Sequence, residues 1–304
     1  MKAFEKFLTA ILLTSIVFLS GCLQGGSNIT KGNGLDITNF GTYYPQVESG
    51  EDFDIVVDVQ NQGGKTAKNV YAFLHGISTS KWRVSGANPV RVSPDLQGPD
   101  EEMEMEGESD FVTWNLIAPQ QTEGVTFTYN PKVRVFYNYK TTASTSIPVL
   151  DRKEYKRLIS NEENPPKQKT THVTKGPLGV TINSRSPVVA KGGQEDFRVS
   201  IKIQNLENGG IFHPNYINSV PNIPEDRTNE VRLKIDAPDV TPVDCNAYYS
   251  PETISIRRGQ EAMYNCELAV SNIVTRRDVP IRVQLDYGYF IDETTQVKVR
   301  GVDY

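Results

Sequence analysis

The chain has 304 residues, 38 % hydrophobic and 23 % charged, with a formal net charge of -5. That mildly acidic balance excludes a general nucleic-acid binder, which needs a basic excess against the phosphate backbone. Three cysteines and three histidines leave little material for a metal centre.

Residues 1–21 read as a signal peptide. Lys2 and Lys6 form a basic front, Phe7 to Leu19 is an apolar run too short to span a bilayer, and Leu19-Ser20-Gly21-Cys22 follows. The small residues let a peptidase reach the backbone, and Cys22 becomes a new N-terminus whose thiol is free to take lipid. The Leu-Ser-Gly-Cys pattern resembles the lipobox of prokaryotic lipoproteins. The resemblance implies a body held by lipid on Cys22 at the extracytoplasmic face of the cell membrane. One short acyl chain anchors marginally, at about 0.8 kcal/mol per buried CH₂, so a two-chain anchor is expected. Residues 22–33 are polar and glycine-rich, a flexible tether that carries a glycosylation sequon at Asn28.

An internal repeat follows. Gly50 to Asn61 (GEDFDIVVDVQN) returns as Gln194 to Asn205 (QEDFRVSIKIQN), with apolar residues alternating in both, the mark of a half-buried strand. The lead-in at Leu35 returns at Leu178. Lys132 to Tyr139 (KVRVFYNY) returns as Pro280 to Tyr287 (PIRVQLDY), and each is followed by what reads as a polar turn and a last short strand, Thr145 to Val149 and Thr295 to Val299. Three matched blocks in the same order indicate duplication. The chain divides into one module over 34–150, a linker over 151–175 with a short helix carrying Tyr155, Leu158 and Ile159, and a second module over 176–304. Short strands between turn signals predict an all-β chain of two tandem immunoglobulin-like or fibronectin-like sandwiches that unfold as separate units.

The glycine before a strand, the Val-x-Val-x-Asn ending at Val57 to Asn61, Ala67-Lys68-Asn69-Val70 and Trp114-Asn115-Leu116-Ile117-Ala118-Pro119 together resemble the CARDB-type immunoglobulin-like repeats of archaeal cell-surface proteins. The resemblance implies seven-stranded sandwiches doing adhesive or structural work. Module two departs from it: it lacks the tryptophan, gains a cysteine pair and carries an insertion over 211–226. The motifs are packing motifs, so they imply a fold and not a site.

Setting Cys22 aside for lipid leaves Cys245 and Cys266, an even pair in an exported chain, read as a disulfide with two buried thiols as the alternative. Trp114 lies in an alternating strand and is expected in the core, with sugar stacking as the sharper alternative. Seven acids crowd Asp100 to Asp110, without the glycine-turn spacing of a calcium loop, and read as a solvated loop or edge strand. His75, His172 and His213 fall in three different segments, and no catalytic or phosphate-binding motif occurs, so no cofactor, metal or catalytic residue is assigned.

The insertion places Phe212, His213 and Tyr216 in a proline-rich irregular stretch, with Tyr248 and Tyr249 just after Cys245. Loops of this kind on a rigid scaffold carry recognition. The competing reading is a loop folded back over its own domain. The functional expectation is a non-catalytic surface protein that binds an envelope protein complex or a surface glycan, with self-association through strand edges left open. A carbohydrate-binding module is the alternative, and an envelope hydrolase the third reading.

Overall fold

The computed structural model describes residues 32–78 and 81–302. The signal segment, Cys22 and Asn28 lie outside the described residues. The first repeat contributes β1 (Leu35–Thr42), β2 (Gln46–Glu48), β3 (Asp52–Asn61), β4 (Ala67–His75), β5 (Arg83–Ser85), β6 (Val90–Leu96), β7 (Ser109–Ile117), β8 (Thr126–Tyr129) and β9 (Lys132–Asp151). The linker forms α1 (Arg152–Ser160) and β10 (His172–Val173). The second repeat supplies β11 (Leu178–Ser184), β12 (Val188–Ala190), β13 (Glu195–Asn205), β14 (Gly210–Phe212), β15 (Glu230–Asp236) and β16 (Thr241–Asp244). After α2 (Asn246–Tyr249) come β17 (Glu252–Ser255), β18 (Glu261–Val270), β19 (Arg276–Thr294) and β20 (Val297–Arg300). The chain is all-β, in sheets that are mainly antiparallel.

Each repeat builds one outer sheet from equivalent strands, β1-β3-β7-β5 in the first and β11-β13-β18-β16 in the second. The period-two pattern drives both. In β3, Phe53, Ile55, Val57 and Val59 point inward, and in β13 Phe197, Val199, Ile201 and Ile203 do the same.

The second layer is shared. One nine-stranded sheet runs through both repeats, with β17-β15-β19-β9-β4-β6 in order, β10 and β12 added on β9, and β14 added on β19. Its spine is an antiparallel pair, β9 with β19, in unbroken register from Lys132 opposite Thr294 to Leu150 opposite Arg276. The same register resumes where β20 pairs with β8, from Val297 opposite Tyr129 to Arg300 opposite Thr126. The first half of β9 pairs with β4 of its own repeat, while β15 of the second repeat pairs with the first half of β19. The last part of each long strand therefore lies in the other repeat. Val149 to Asp151 pairs in parallel with β12, and Lys298 to Arg300 pairs in parallel with β2. The repeats exchange their final strands reciprocally about a pseudo-two-fold axis at the pair Tyr139–Tyr287, which are also equivalent positions of the duplication.

This corrects two expectations. Lys140 to Ser144 is not a turn. Thr141, Ala143 and Thr145 continue the inward alternation with small and β-branched side chains, all buried, and no glycine or proline interrupts them. The segments 34–150 and 176–304 mark the duplication but are not closed spatial units, because each sandwich is completed by a strand from the other.

The linker is stitched to this sheet. Asp151 caps α1, its side chain accepting the Lys153 N–H at 2.8 Å, and Leu158 packs inward while Ile159 stays exposed. The chain then returns along β9, with the Lys169 N–H on Ser146 O at 3.1 Å and the Thr174 N–H on Thr142 O at 2.9 Å.

One continuous core fills both sandwiches. At the pseudo-axis sit four buried tyrosines, 137, 139, 287 and 289, with ring centroids 5.9–6.4 Å apart. Their hydroxyls are satisfied by both repeats. The Leu35 N–H donates to Tyr137 at 3.3 Å and the Lys65 N–H to Tyr139 at 3.0 Å. Tyr287 and Thr141 share a hydrogen bond of 2.8 Å, and Tyr289 donates to Asn205 Oδ1 at 2.8 Å. Burial without water disfavours the phenolate, which pushes Tyr139 up to about 12 and Tyr137 and Tyr287 well above the usual tyrosine range. These tyrosines are structural hydrogen-bond donors and acceptors at every physiological pH.

Candidate interaction surfaces

The 211–226 insertion folds back. Ile211 and Phe212 pair with β19, and His213 opens a helical turn over Pro214–Ser219, its Nδ1 accepting the Asn215 N–H at 3.4 Å. Phe212 sits edge-on to Phe136 at 6.1 Å between centroids, and Ile217, Tyr216, Val220 and Ile223 complete a small cluster with Tyr71, Phe73 and Phe290. This cluster lies on the outer face of the shared sheet, separate from the main core. Gly288 makes the approach feasible, since a Cβ there would lie 2.2 Å from the Phe212 ring. The insertion is thus a flap of the second repeat over strands of both repeats.

Of the residues proposed for recognition, Phe212 is fully buried and His213 nearly so, while Tyr216 is half-buried. Tyr248 packs with the main core, and its hydroxyl donates to Ala237 O at 3.5 Å. Tyr249 is 73 % exposed. The structure does not gather these five into one site: Phe212, His213 and Tyr216 belong to the flap, and Tyr248 and Tyr249 to α2. Burial lowers the pKa of His213, and of His75, whose ring stacks on Phe73 at 5.5 Å.

Cys245 and Cys266 form a disulfide with a Cα–Cα distance of 4.7 Å, tying the start of α2 to β18. Both sulfurs are buried. Trp114 and Trp82 are also buried, Trp82 edge-on to Phe53 and Tyr129, so neither offers a sugar-stacking face.

The acidic stretch forms an exposed turn between β6 and β7. Asp100 Oδ1 accepts the N–H groups of Glu102 and Met103, Glu101 pairs with Lys175 at 3.1 Å, and Met103 and Met105 are 70 % and 60 % exposed. Among the described residues no group of three or more His, Cys, Asp or Glu is arranged to hold a metal ion.

A cleft of about 830 Å³ lies between α1, the 183–189 segment and β13. Arg152, Lys156, Arg185, Lys191 and Arg198 line it, over Tyr155, Pro187, Val188 and Phe197. Neither sequence repetition nor motif pointed to it. Its cations come from the linker and from three strands or turns that only the fold brings together. The equivalent cleft of the first repeat, about 210 Å³, carries Glu51, Asp52 and Asp54 beside the exposed Tyr43 and Tyr44. Within the strand repeat, Arg198 stands where the first copy has Asp54, and Lys202 where it has Asp58. At these two positions the duplicated surfaces have diverged to opposite charge, while Glu51 and Asp52 keep acidic counterparts in Glu195 and Asp196.

No family model matches this chain, and no curated protein matches it. Solved structures overlap it only loosely. The secreted serine protease VesC from Vibrio cholerae is 11 % identical with a TM-score of 0.21, over 86 % of this chain and 50 % of that one. An alpha-2-macroglobulin of E. coli is 9 % identical with a TM-score of 0.24, over 90 % of this chain and 17 % of that one. AvmM, which catalyses macrocyclization in alchivemycin A biosynthesis, is 16 % identical with a TM-score of 0.19, over 36 % of this chain and 74 % of that one. The chain spans half or less of the length of VesC and the macroglobulin. Overlaps this loose carry no argument about fold or activity.

Proposed function

We propose that the chain is a lipid-anchored surface protein that acts by contact with a protein or glycan partner at the cell envelope and not by catalysis. The observation that carries this reading is the buried Cys245–Cys266 disulfide, a bond that persists in oxidising, exported compartments. With that pair closed, Cys22 is the one cysteine left for the anchor. The immunoglobulin-like character of the repeats, and their resemblance to archaeal CARDB-type surface domains, belong to the same proposal. A body of rigid sheets joined through one core suits a scaffold that holds partners at fixed spacing.

The test is membrane partition of the full chain expressed in a prokaryotic host, with Cys22→Ala beside it, followed by in-cell crosslinking. Lipid labelling that is lost in Cys22→Ala, together with crosslinks to a membrane complex, is expected. A chain that fractionates in the cytosol with Cys245 and Cys266 reduced would overturn the proposal. Retention on glycan arrays with no protein crosslink would favour the carbohydrate-binding alternative.

A further inference from the structure

We infer that the cationic cleft beside α1 is a docking site for the acidic, methionine-bearing turn of a second copy of this chain, so that copies associate head to tail. The inference rests on the reading of the chain as a surface interaction protein and names one partner.

The cleft is unpaired. Among the described residues Arg152, Lys156, Arg185, Lys191 and Arg198 make no ion pair with a carboxylate of the chain. Glu195 and Asp196 also line it and leave an excess of positive charge. Its floor is apolar and aromatic at Tyr155, Pro187, Val188 and Phe197, and the Ser186 hydroxyl beside them is buried without a hydrogen-bond partner. A cleft with cationic walls and an aromatic floor selects a segment that is both anionic and apolar, since neither bulk anions nor plain hydrocarbon satisfies both surfaces.

The turn over 100–105 has that chemistry. Glu101 and Asp100 are engaged locally, while Glu102, Met103, Glu104 and Met105 are exposed in alternation. Unbranched thioethers adapt to an irregular floor and pack well on aromatic rings. The backbone that holds the turn is rigid: Gly107 packs directly on Asn61 O, where a Cβ would not fit, and the Glu108 N–H donates to Gln97 O at 3.0 Å.

A chain cannot fill its own cleft. Glu101 pairs with Lys175, whose neighbour Thr174 is bonded to Thr142 near the middle of the β9–β19 ribbon. The cleft lies beside the end of β9, where its Val188 and Val189 pair with Val149 and Leu150. At about 3.3 Å per residue, the stretch from Thr142 to Val149 sets the two roughly 23 Å apart along the strand. The occupant is therefore the turn of another molecule, and because donor turn and acceptor cleft are different surfaces the contact is heterologous, which propagates unless it closes into a ring.

The test is sedimentation of the full chain in mild detergent at about 50 mM and about 500 mM salt, where screening separates charge-driven association from the rest. Two variants reverse each side, Arg152→Glu with Arg198→Glu, and Glu102→Lys with Glu104→Lys, all exposed positions. Expected is concentration-dependent association of the wild type at low salt, lost at high salt, weakened at least tenfold in either variant alone, and restored when the two variants are mixed. A wild type that stays monomeric at every concentration overturns the inference, as does association that both variants retain. Binding of the wild type to phosphatidylglycerol vesicles through Arg152 and Arg198, without self-association, would assign the cleft to lipid and overturn it too. Should a variant's melting curve shift, Arg185→Glu and Glu102→Lys alone repeat the exchange. If self-association fails while membrane partition and crosslinks to other proteins persist, only this inference falls.

Discussion

The disulfide lies in the second repeat and both tryptophans in the first, so one perturbation reads out whether the strand exchange makes the repeats a single cooperative unit. The variant is Cys245→Ala with Cys266→Ala. Opening a loop of sequence separation 21 removes a constraint on the unfolded chain, about 3 kcal/mol in the chain-entropy account. If all of the roughly 270 described residues unfold together, the entropy of unfolding is about 570 cal/mol/K and the midpoint falls by about 5 °C. If the second repeat unfolded alone, with roughly 130 residues, the same loss would lower its midpoint by about 11 °C and leave the first untouched. The assay is a thermal melt followed in parallel by tryptophan emission and far-ultraviolet circular dichroism. The buried Trp82 and Trp114 report only on the first repeat. Coincident transitions, both lowered by about 5 °C, are expected, because β20 and the end of β19 complete the first sandwich. A tryptophan transition that stays in place while the dichroism splits into two steps would refute the argument from exchange.

Other consequences follow from the same geometry. Val299→Ala, in the second repeat by sequence and fully buried against β2 and β8, removes two methyl groups and leaves a cavity, a loss of about 2 kcal/mol; the tryptophan-monitored midpoint should drop by about 3–4 °C, and no change there would place β20 elsewhere. Gly288→Ala sets a methyl against the Phe212 ring and should speed proteolytic cleavage between 213 and 229 several-fold while leaving the strand exchange intact, an effect read by timed digestion and mass spectrometry. His75 and His213 are held below the ordinary histidine value by burial. Below about pH 6.5 the unfolded chain therefore binds protons that the folded chain refuses, so stability is full above that pH and declines as pH falls toward the folded values. Denaturant midpoints between about pH 7.5 and 5.5 should decline, and His75→Gln with His213→Gln should flatten that decline; an unchanged slope in the double variant would assign it to other groups.

The outer sheets were legible because Phe53 to Val59 and Phe197 to Ile203 alternate cleanly, and the linker helix because Tyr155 and Leu158 recur at helical spacing. The exchange was not. Lys140 to Ser144 is polar enough to pass for a turn, yet its inward positions Thr141 and Ala143 keep the period of two. Pairing partner is also a long-range property: nothing local in β9 says that its second half faces β19 beyond the pseudo-axis. The cationic cleft was hidden for the same reason, since Arg152, Arg185 and Arg198 are scattered in sequence.

The flap has a signal in the strands it covers. Val135-Phe136-Tyr137 and Tyr289-Phe290-Ile291 each break the alternation with consecutive apolar residues. A strand wetted on one face has no use for Phe136 or Phe290 on the other, and such runs belong to strands covered on both sides. The two phenylalanines face one another across the β9–β19 pair, 5.8 Å between centroids, so one cover serves both. The sequence contains one irregular apolar insertion long enough to supply it, at 211–226. The decision between recognition and self-cover was thus available from the strands and not from the loop: an apolar loop alone fits either role, but an apolar loop together with two unexplained outward phenylalanines fits the second.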